Sequence, residues 1–428
     1  MTTPLSLAVV GAGPVGLALA LEAAALLPEA RITVYDARRV EHDVGADPRT
    51  LPSESASVQV FERLGVWRAI EAASAPNTAV HVSQQQPSLL ASVLGRPQPE
   101  VLLSAAECGV ERLGAVAAYG AIVAPLQAAW LDAVALEPQR LTARFGTPVA
   151  ALKPLGGGAE PPAVEVDAGI VERHDLAVVA EGGVFAAQVR KALSVDYRQT
   201  AWVGQVTLEG AAEPGCAYER FTAQGPAALL PLPDAAAGAG PGPGAPSADG
   251  PARRRAALVW CVDAADDPVA PLADTQRVAL LNHVFPPRAG RIVGVTPLKA
   301  FPLGLNAERT LVDGRSVRIG NAAQTLHPVA GQGMNLGLRD AHALVAALLG
   351  ATAPGRDAPA EVDAALRRVE WQRAPDRWAL IAATDFLARS FTWRLPGASG
   401  ARGAGLAALQ AFAPAKRLLA RRMMFGWR

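Results

Sequence analysis

The sequence is poor in residues that build covalent or metal-held frameworks. Its 428 residues hold three cysteines, Cys108, Cys216 and Cys261, which lie far apart and form no CxxC pair. That excludes a disulfide framework and a zinc site of ordinary spacing, and it suits a reducing compartment. Six histidines with no HxxxH or similar spacing supply no metal centre. Neither sign of charge predominates: 40 basic against 39 acidic residues leave no global electrostatic case for a nucleic-acid partner. No internal repeat is found. The run Leu5 to Leu21 carries no charge, but three glycines and a proline interrupt it and no basic segment precedes it. A buried strand followed by a helix accounts for it better than a membrane span or a signal peptide. The expectation is a soluble or peripheral, cytoplasmic protein. Half of the residues are hydrophobic and 18% are charged, the balance of a globular chain. This length buries a large core across two or three domains.

What is present begins at once. Leu5 to Val10 has the length and apolarity of a buried strand. It runs into Gly11-Ala12-Gly13-Pro14-Val15-Gly16, an apolar helix to Leu27, and a second strand from Arg31 to Tyr35 that ends at Asp36. This is GxGxxG between a strand and a helix, with an acid 25 positions after Gly11. Gly11 allows the turn, Gly13 lets the backbone approach a pyrophosphate, Gly16 lets helix and strand pack, and Asp36 accepts hydrogen bonds from a ribose. Arg38 and Arg39 fit a 2′-phosphate or a solvated pair equally. A turn-rich segment from Gly45 to Leu51 follows, ahead of an amphipathic helix from Ser55 to Leu64. Within it Arg49 either reaches cofactor phosphates from outside the turn or stands as a surface arginine.

A second glycine-rich signal lies late in the chain, from Val317 to Ala341. A short strand to Ile319 breaks at Gly320 and passes through a loop with Pro328, Gly331 and Gly333. A helix then starts near Met334, with apolar residues at helical spacing. Gly331 and Gly333 let the backbone approach a ligand, and the N–H groups at the helix start face an electron-rich or anionic group.

The middle of the chain reads as mixed elements. Short strands and turns run from Ala79 to Leu103, and a helix from Ala115 to Val134 holds Gln127 and Trp130. Two alternating stretches, Arg140 to Leu152 and Ala163 to Val171, suggest a hairpin about Gly156-Gly157-Gly158. Asp175 to Ala180 is a buried strand ending in Glu181-Gly182-Gly183, which can close over a ribose. Further strands are expected at Val195 to Leu208, Cys216 to Pro231 and Arg255 to Val262. Asp234 to Arg254, rich in Ala, Gly and Pro, is a flexible insertion between the last two, and Arg253 to Arg255 is a solvated tip. The last eighty residues read as helices over Glu361 to Ala388 and Leu406 to Phe425, with a Gly-rich break from Pro396 to Gly405. The tail from Lys416 to Phe425 mixes basic and large apolar residues. It suits an anionic membrane surface or packing on its own protein.

Together these stretches resemble the FAD-dependent aromatic hydroxylases built on the p-hydroxybenzoate hydroxylase fold, over essentially the full chain. Gly11 to Gly16 with Asp36 matches that family's ADP-binding motif. Asp47-Pro48-Arg49, with Ser53 and Leu64-Gly65-Val66-Trp67, is similar to its D-x-R…LG-x-W segment. Gly320 to Ala341 is similar to its flavin and ribityl motif. Within the family the chain resembles the ubiquinone-biosynthesis group, in particular the 2-octaprenyl-6-methoxyphenol hydroxylases. That likeness rests on Gly320-Asn321-Ala322-Ala323-Gln324-Thr325-Leu326-His327-Pro328, on Tyr218 to Thr222 with Gly225-Pro226, on Tyr197 with Gln199-Thr200-Ala201, and on Asp385 and Pro414-Ala415-Lys416.

The resemblance implies an α/β architecture. A Rossmann-like FAD-binding domain of the GR2/p-hydroxybenzoate hydroxylase type (1–77, 102–185 and 296–350) would carry an inserted β-sheet substrate domain (78–101 and 186–295, with the flexible insertion 234–254) and a C-terminal helical region (351–428). FAD would be held by Gly11, Gly13, Gly16, Asp36, Arg49, Gly320, Asn321, Pro328, Gly331, Gly333, Met334 and Asn335. The activity implied is ring hydroxylation of a prenylated phenol with NAD(P)H as a transient electron donor and O2. A quinone-synthesis protein complex and a peripheral membrane contact through the tail are implied partners. Neither a metal nor nucleic acid is expected, and no phenol-deprotonating base is named.

Three departures from the family pattern stand out. Asn321 replaces the usual aspartate and drops its charge. Glu181-Gly182…Arg190 has a longer spacer and no serine. The helical residue that touches flavin falls near Ala124-Pro125, with Gln127 as a substitute. Other readings on this fold are a hydroxylase of another ring position or of a soluble aromatic, a flavin reductase of prenyl chains, and a non-catalytic FAD-binding subunit.

Overall fold

Five buried or half-buried residues, Ser6–Val10, form the strand about which a parallel sheet is built. Arg31–Asp36 and Leu176–Val179 flank it in parallel register, with Leu7 opposite both Ile32 and Leu176. The outer strand on one side is Leu141–Phe145. On the other side Ser316–Arg318 is followed by the antiparallel Val312–Asp313, giving six strands in all. Parallel strands are covered on both faces, which is why these segments read as unbroken apolar runs. The helix Pro14–Leu26 covers one face, buried along most of its length, so Leu5 to Leu21 is indeed a strand and a helix. The other face carries an antiparallel meander, Ala151–Gly157, Glu160–Asp167 and Val171–His174. His174 fastens the two layers: Ser6 Oγ lies 2.9 Å from its Nδ1 and Tyr35 Oη 2.9 Å from its Nε2.

A second, nine-stranded sheet stands beside the first. Its longest strand, Lys191–Glu209, pairs with Arg253–Asp263 on one side and Lys299–Glu308 on the other. Pro226–Pro231, Cys216–Phe221, Ala79–Gln84 and Glu100–Ser104 complete the order toward one edge. One face packs its own core, including Leu208, Leu258, Trp260 and Val262, against the helix Asp274–Val284. The opposite face is left for a cleft. A small antiparallel sheet, Thr50–Glu54, Gly114–Ala118 and Ser74–Asn77, lies at the junction. The long helix Ala358–Ser390 and the pair Ala398–Ala411 and Ala413–Phe425 close the chain.

The computed structural model describes residues 4–86, 98–157, 160–182, 191–210, 213–234, 253–328, 331–351, 358–390, 392 and 397–426. Gly158, Gly183, Arg190, Pro396 and most of the expected insertion 234–254 lie outside that set. Several expected boundaries move for local reasons. Ala115 opens not a helix but the strand Gly114–Ala118, because its backbone pairs with Thr50–Glu54; the helix follows as Tyr119–Leu136. Arg140 to Leu152 splits into two strands at Gly146, where φ is +74°. Of the break expected from Pro396 to Gly405, the described part is helix from Ala398 on, through Gly400, Gly403 and Gly405, with Gly397 at φ +81° as its N-cap. Arg253 begins a strand and pairs with Glu209 rather than capping a solvated tip. The helix expected at Met334 starts at Gln332. Tyr119–Leu136 is the one described helix long and apolar enough to cross a membrane; it contains Pro125 and buries Ile122, Val123, Leu126 and Trp130.

A cleft from the glycine turn to an apolar chamber

The two glycine-rich signals meet in one cleft of about 840 Å³. At one end Gly11, with φ +105°, turns the chain from the first strand into the helix that starts at Pro14. A Cβ at Gly16 would lie 2.0 Å from the Gly11 carbonyl oxygen, so that glycine serves helix-to-strand packing and does not line the cleft. Gly13 does line it, and a Cβ there would come no nearer than 3.4 Å to the Tyr119 hydroxyl. Asp36 sits at the cleft wall with its oxygens engaged: Oδ2 accepts from the Ala12 amide at 2.6 Å and Oδ1 from the Arg38 amide at 2.8 Å. Arg38 pairs with Asp36 at 2.9 Å and donates to the Ala12 carbonyl, so it closes the turn rather than standing solvated. Arg49 also lines the cleft, paired with Asp47 at 2.7 Å and stacked 4.4 Å over the Tyr119 ring.

Glu181 tests whether this end fits a nucleotide. Its Oε2 is buried without a hydrogen-bond partner and its side chain lines the cleft beside Gly11. Burial, helped by the Asp36 charge, pushes its carboxyl up to about 6. An orphaned acceptor of this kind is costly unless a ligand donor reaches it, which is what ribose hydroxyls or an adenine amine supply. With Gly11 and the free amides of the following helix, the residues fit the ADP half of FAD.

The second turn lines the next part of the cleft. Gly331 has φ +61°, and a Cβ on it would lie 2.1 Å from Pro52 Cγ. Gly333 would place a Cβ 3.3 Å from Asn321 Oδ1. Asn321, Pro328, Gly331, Gly333 and Met334 all line the cleft, at the start of the helix Gln332–Ala351. Gly320 and Asn335 do not. Gly320 (φ +59°) passes against Gly337, where a Cβ would approach its Cα to 2.8 Å. Asn335 is fully buried and clamps the turn: Nδ2 donates to the Pro52 carbonyl at 3.0 Å, and Oδ1 accepts from the Glu54 amide and the Ser57 hydroxyl. Gln127 likewise lies off the cleft.

Behind this turn lies a buried charge chain that sequence reading missed, because its members are spread over three elements. Glu54 accepts from the Gln332 side-chain amide and from Arg339 Nη1 at 3.2 Å. Arg339 Nε reaches Asp376 at 3.0 Å, Asp376 accepts from Arg373, and Arg373 reaches Asp340 at 2.7 Å. Burial pushes Glu54 up to about 7 while Arg339 pulls it back.

Away from the turns the cleft becomes apolar. One wall is the free face of the large sheet, including Val82, Phe221, Ala228 and Val259; the roof is Leu406, Leu409, Leu419, Met423 and Met424 from the closing helices. His327 stands between the two parts. Its Nε2 is 3.0 Å from Gln199 Oε1, and its ring meets Tyr197 edge-on at 5.1 Å. The Tyr197 hydroxyl donates to Asp385 at 3.0 Å. Burial pushes the imidazole down to about 4, with Asp385 opposing. The folded-state value lies below that of the unfolded chain, so the contribution is complete above about pH 6.5 and is lost as pH falls toward 4. We expect acidification from about pH 7 to 4 to cost the wild type up to about 3 kcal/mol more than a His327→Gln variant, read from thermal melts. Equal losses in both proteins would contradict a neutral buried ring.

A family model described as an FAD binding domain matches residues 5–365. Similar curated proteins include the ubiquinone hydroxylase UbiL of Rhodospirillum rubrum, 34% identical over 258 residues, 59% of this chain and 54% of that protein. Another is 3-demethoxyubiquinol 3-hydroxylase of Escherichia coli, 29% identical over 434 residues and 97% of both chains. The chain spans about half the length of most curated relatives it matches and nearly all of the Escherichia coli one. Among solved structures, HpxO of Klebsiella pneumoniae complexed with FAD and uric acid is similar with a TM-score of 0.67, at 16% identity over 97% of this chain and 96% of that one. At that identity the likeness speaks for the fold alone. The fold is the p-hydroxybenzoate hydroxylase type expected from the sequence, the cofactor is FAD, and the chain belongs to the family of FAD binding domains whose model spans it from residue 5 to residue 365.

Proposed function

We propose that this chain is an FAD-dependent monooxygenase that hydroxylates the aromatic ring of a prenylated phenol in ubiquinone biosynthesis, using NAD(P)H as transient electron donor and O2. One observation carries the reading: a single cleft runs from a dinucleotide turn, past a second glycine turn, into a chamber walled by apolar side chains. FAD supplies the redox and oxygen chemistry when bound. The protein's own residues cradle it at Gly11, Gly13, Asp36, Arg49, Asn321 and the Gly331–Met334 turn. Asn335, Gly16 and Gly320 hold those turns in place from behind. The sheet wall and helical roof keep water from the ring and take up the prenyl tail. The domain division expected from the sequence belongs to the same reading. A peripheral membrane contact also fits: Phe412, at the junction of the two roof helices, is 61% exposed, and Leu418, between Arg417 and Arg421 along the last helix, is 57% exposed. Similarity to a protein named as a 3-hydroxylase keeps a second ring position in play.

The test is genetic and chemical. Deleting the gene in its host should accumulate a prenyl-phenol lacking one hydroxyl, identified by mass spectrometry. Wild type should clear it and Gly16→Val should not. Unchanged quinone with no new intermediate, in a host without a redundant enzyme, would sink the ubiquinone reading. A purified FAD-loaded protein whose flavin NAD(P)H cannot reduce would point instead to the non-catalytic subunit.

A further inference from the structure

Among the described residues, the sheet wall of the chamber contains one ionisable side chain. Along Cys216–Phe221 the side chains alternate, and Ala217, Glu219 and Phe221 take the cleft side. The intervening residues turn to the other face, where Tyr218 donates its hydroxyl to the Arg288 carbonyl and Arg220 donates to the Val284 carbonyl. Glu219 lies opposite Val82 on one neighbour and Ala228 on the other, and Ala228 lies opposite Val259. All four line the cleft, so they form one row across its wall, and Glu219 is the only acid in that row. Among the described residues that the large sheet contributes to the lining, no other is ionisable. Its charge also helps, after burial, to push the nearby Cys261 thiol up.

A carboxylate set in an apolar wall is a strong, directional acceptor for a donor that enters the chamber. It has about four acceptor sites, so it can take a ligand donor alongside any protein partner. We propose that Glu219 is the residue that accepts the hydrogen bond of the substrate's ring hydroxyl, orienting the phenol in the chamber and selecting it over a ring without that donor. This rests on the phenolic reading above and adds a specific contact to it. The shared proton places electron density on the ring, which suits attack by an electrophilic oxygen. Discrimination follows because an ether offers the carboxylate no donor while still covering it from water.

The experiment uses full-length, FAD-loaded protein titrated with ortho-dimethylallylphenol and with its O-methyl ether, read by perturbation of the flavin absorbance. Wild type should bind the phenol about tenfold to a hundredfold tighter than the ether. Glu219→Leu should lose that preference, through weaker phenol binding and unchanged or tighter ether binding, at unchanged flavin content. If the leucine variant fails to hold flavin, the near-isosteric Glu219→Gln carries the test and should show a reduced preference. Full discrimination in a flavin-loaded variant overturns the assignment of Glu219 alone. A wild-type protein that binds neither compound, with flavin in place, overturns the phenolic reading and the assignment together.

Discussion

Gly331→Ala is expected to yield protein that keeps most of its fold but purifies with less than about a tenth of its flavin. The added methyl would lie 2.1 Å from Pro52 Cγ, a ring atom with no freedom to swing away, and the residue would have to hold φ +61°. The left-handed backbone costs an alanine about 1 kcal/mol, and the overlap adds a displacement of the turn on the order of a further 2 kcal/mol. Asn335 ties that turn to the Pro52 carbonyl, so strand and turn cannot separate cheaply. Gly65→Ala is the matched control: its φ is +73°, yet nothing lies within 4 Å of the added carbon. It should bear the backbone cost and keep its flavin. The ratio of flavin to protein absorbance reads both, and a fully loaded Gly331→Ala protein would show that the turn gives way.

The second large effect is one of stability. Arg377 is among the largest fully buried side chains, at 1% exposure. Its Nε donates to Gln324 Oε1 at 2.6 Å, and Nη2 donates to the Glu308 carbonyl at 2.5 Å and the Ala323 carbonyl at 3.3 Å. Methionine there fills much of the volume and satisfies none of these acceptors. Leaving them unmet should cost about 3–5 kcal/mol. Because the same bonds hold the segment just after Gly320, flavin release should come at a lower temperature as well. Arg367→Met, an exposed change on the same helix, should shift the melting temperature by no more than about a degree. Equal melting of the two variants would contradict the account.

Much of this was legible in the residues. Gly11 to Gly16 with Asp36, and Gly331 with Gly333, combine period, spacing and glycine chemistry, and the structure puts both turns on one cleft. What the residues left open is tertiary. Asn335 looks like a ligand contact in a motif, yet its four partners come from residues 52, 54, 57 and 331, and only their convergence turns it into a clamp. Ala115 read as helix because its apolar neighbours suit either period; the partner that makes it strand is Ser53, far back in the chain. Glu54, Arg339, Asp376, Arg373 and Asp340 look like ordinary surface charges one by one. Their burial depends on three elements meeting, which no local pattern records.

The lining of the cleft also has a bearing on ageing. Apart from Met1, the protein has three methionines, Met334, Met423 and Met424, and all three line it. Thioethers are readily converted to sulfoxides, which are polar and poorly suited to an apolar wall. Under the proposed oxygen chemistry, any peroxide released would arise against these three thioethers, two in the chamber roof and one at the second glycine turn. Wear during turnover would therefore be concentrated at the working parts and visible as a mass ladder, a gain of about one oxygen per lesion, on two short peptides.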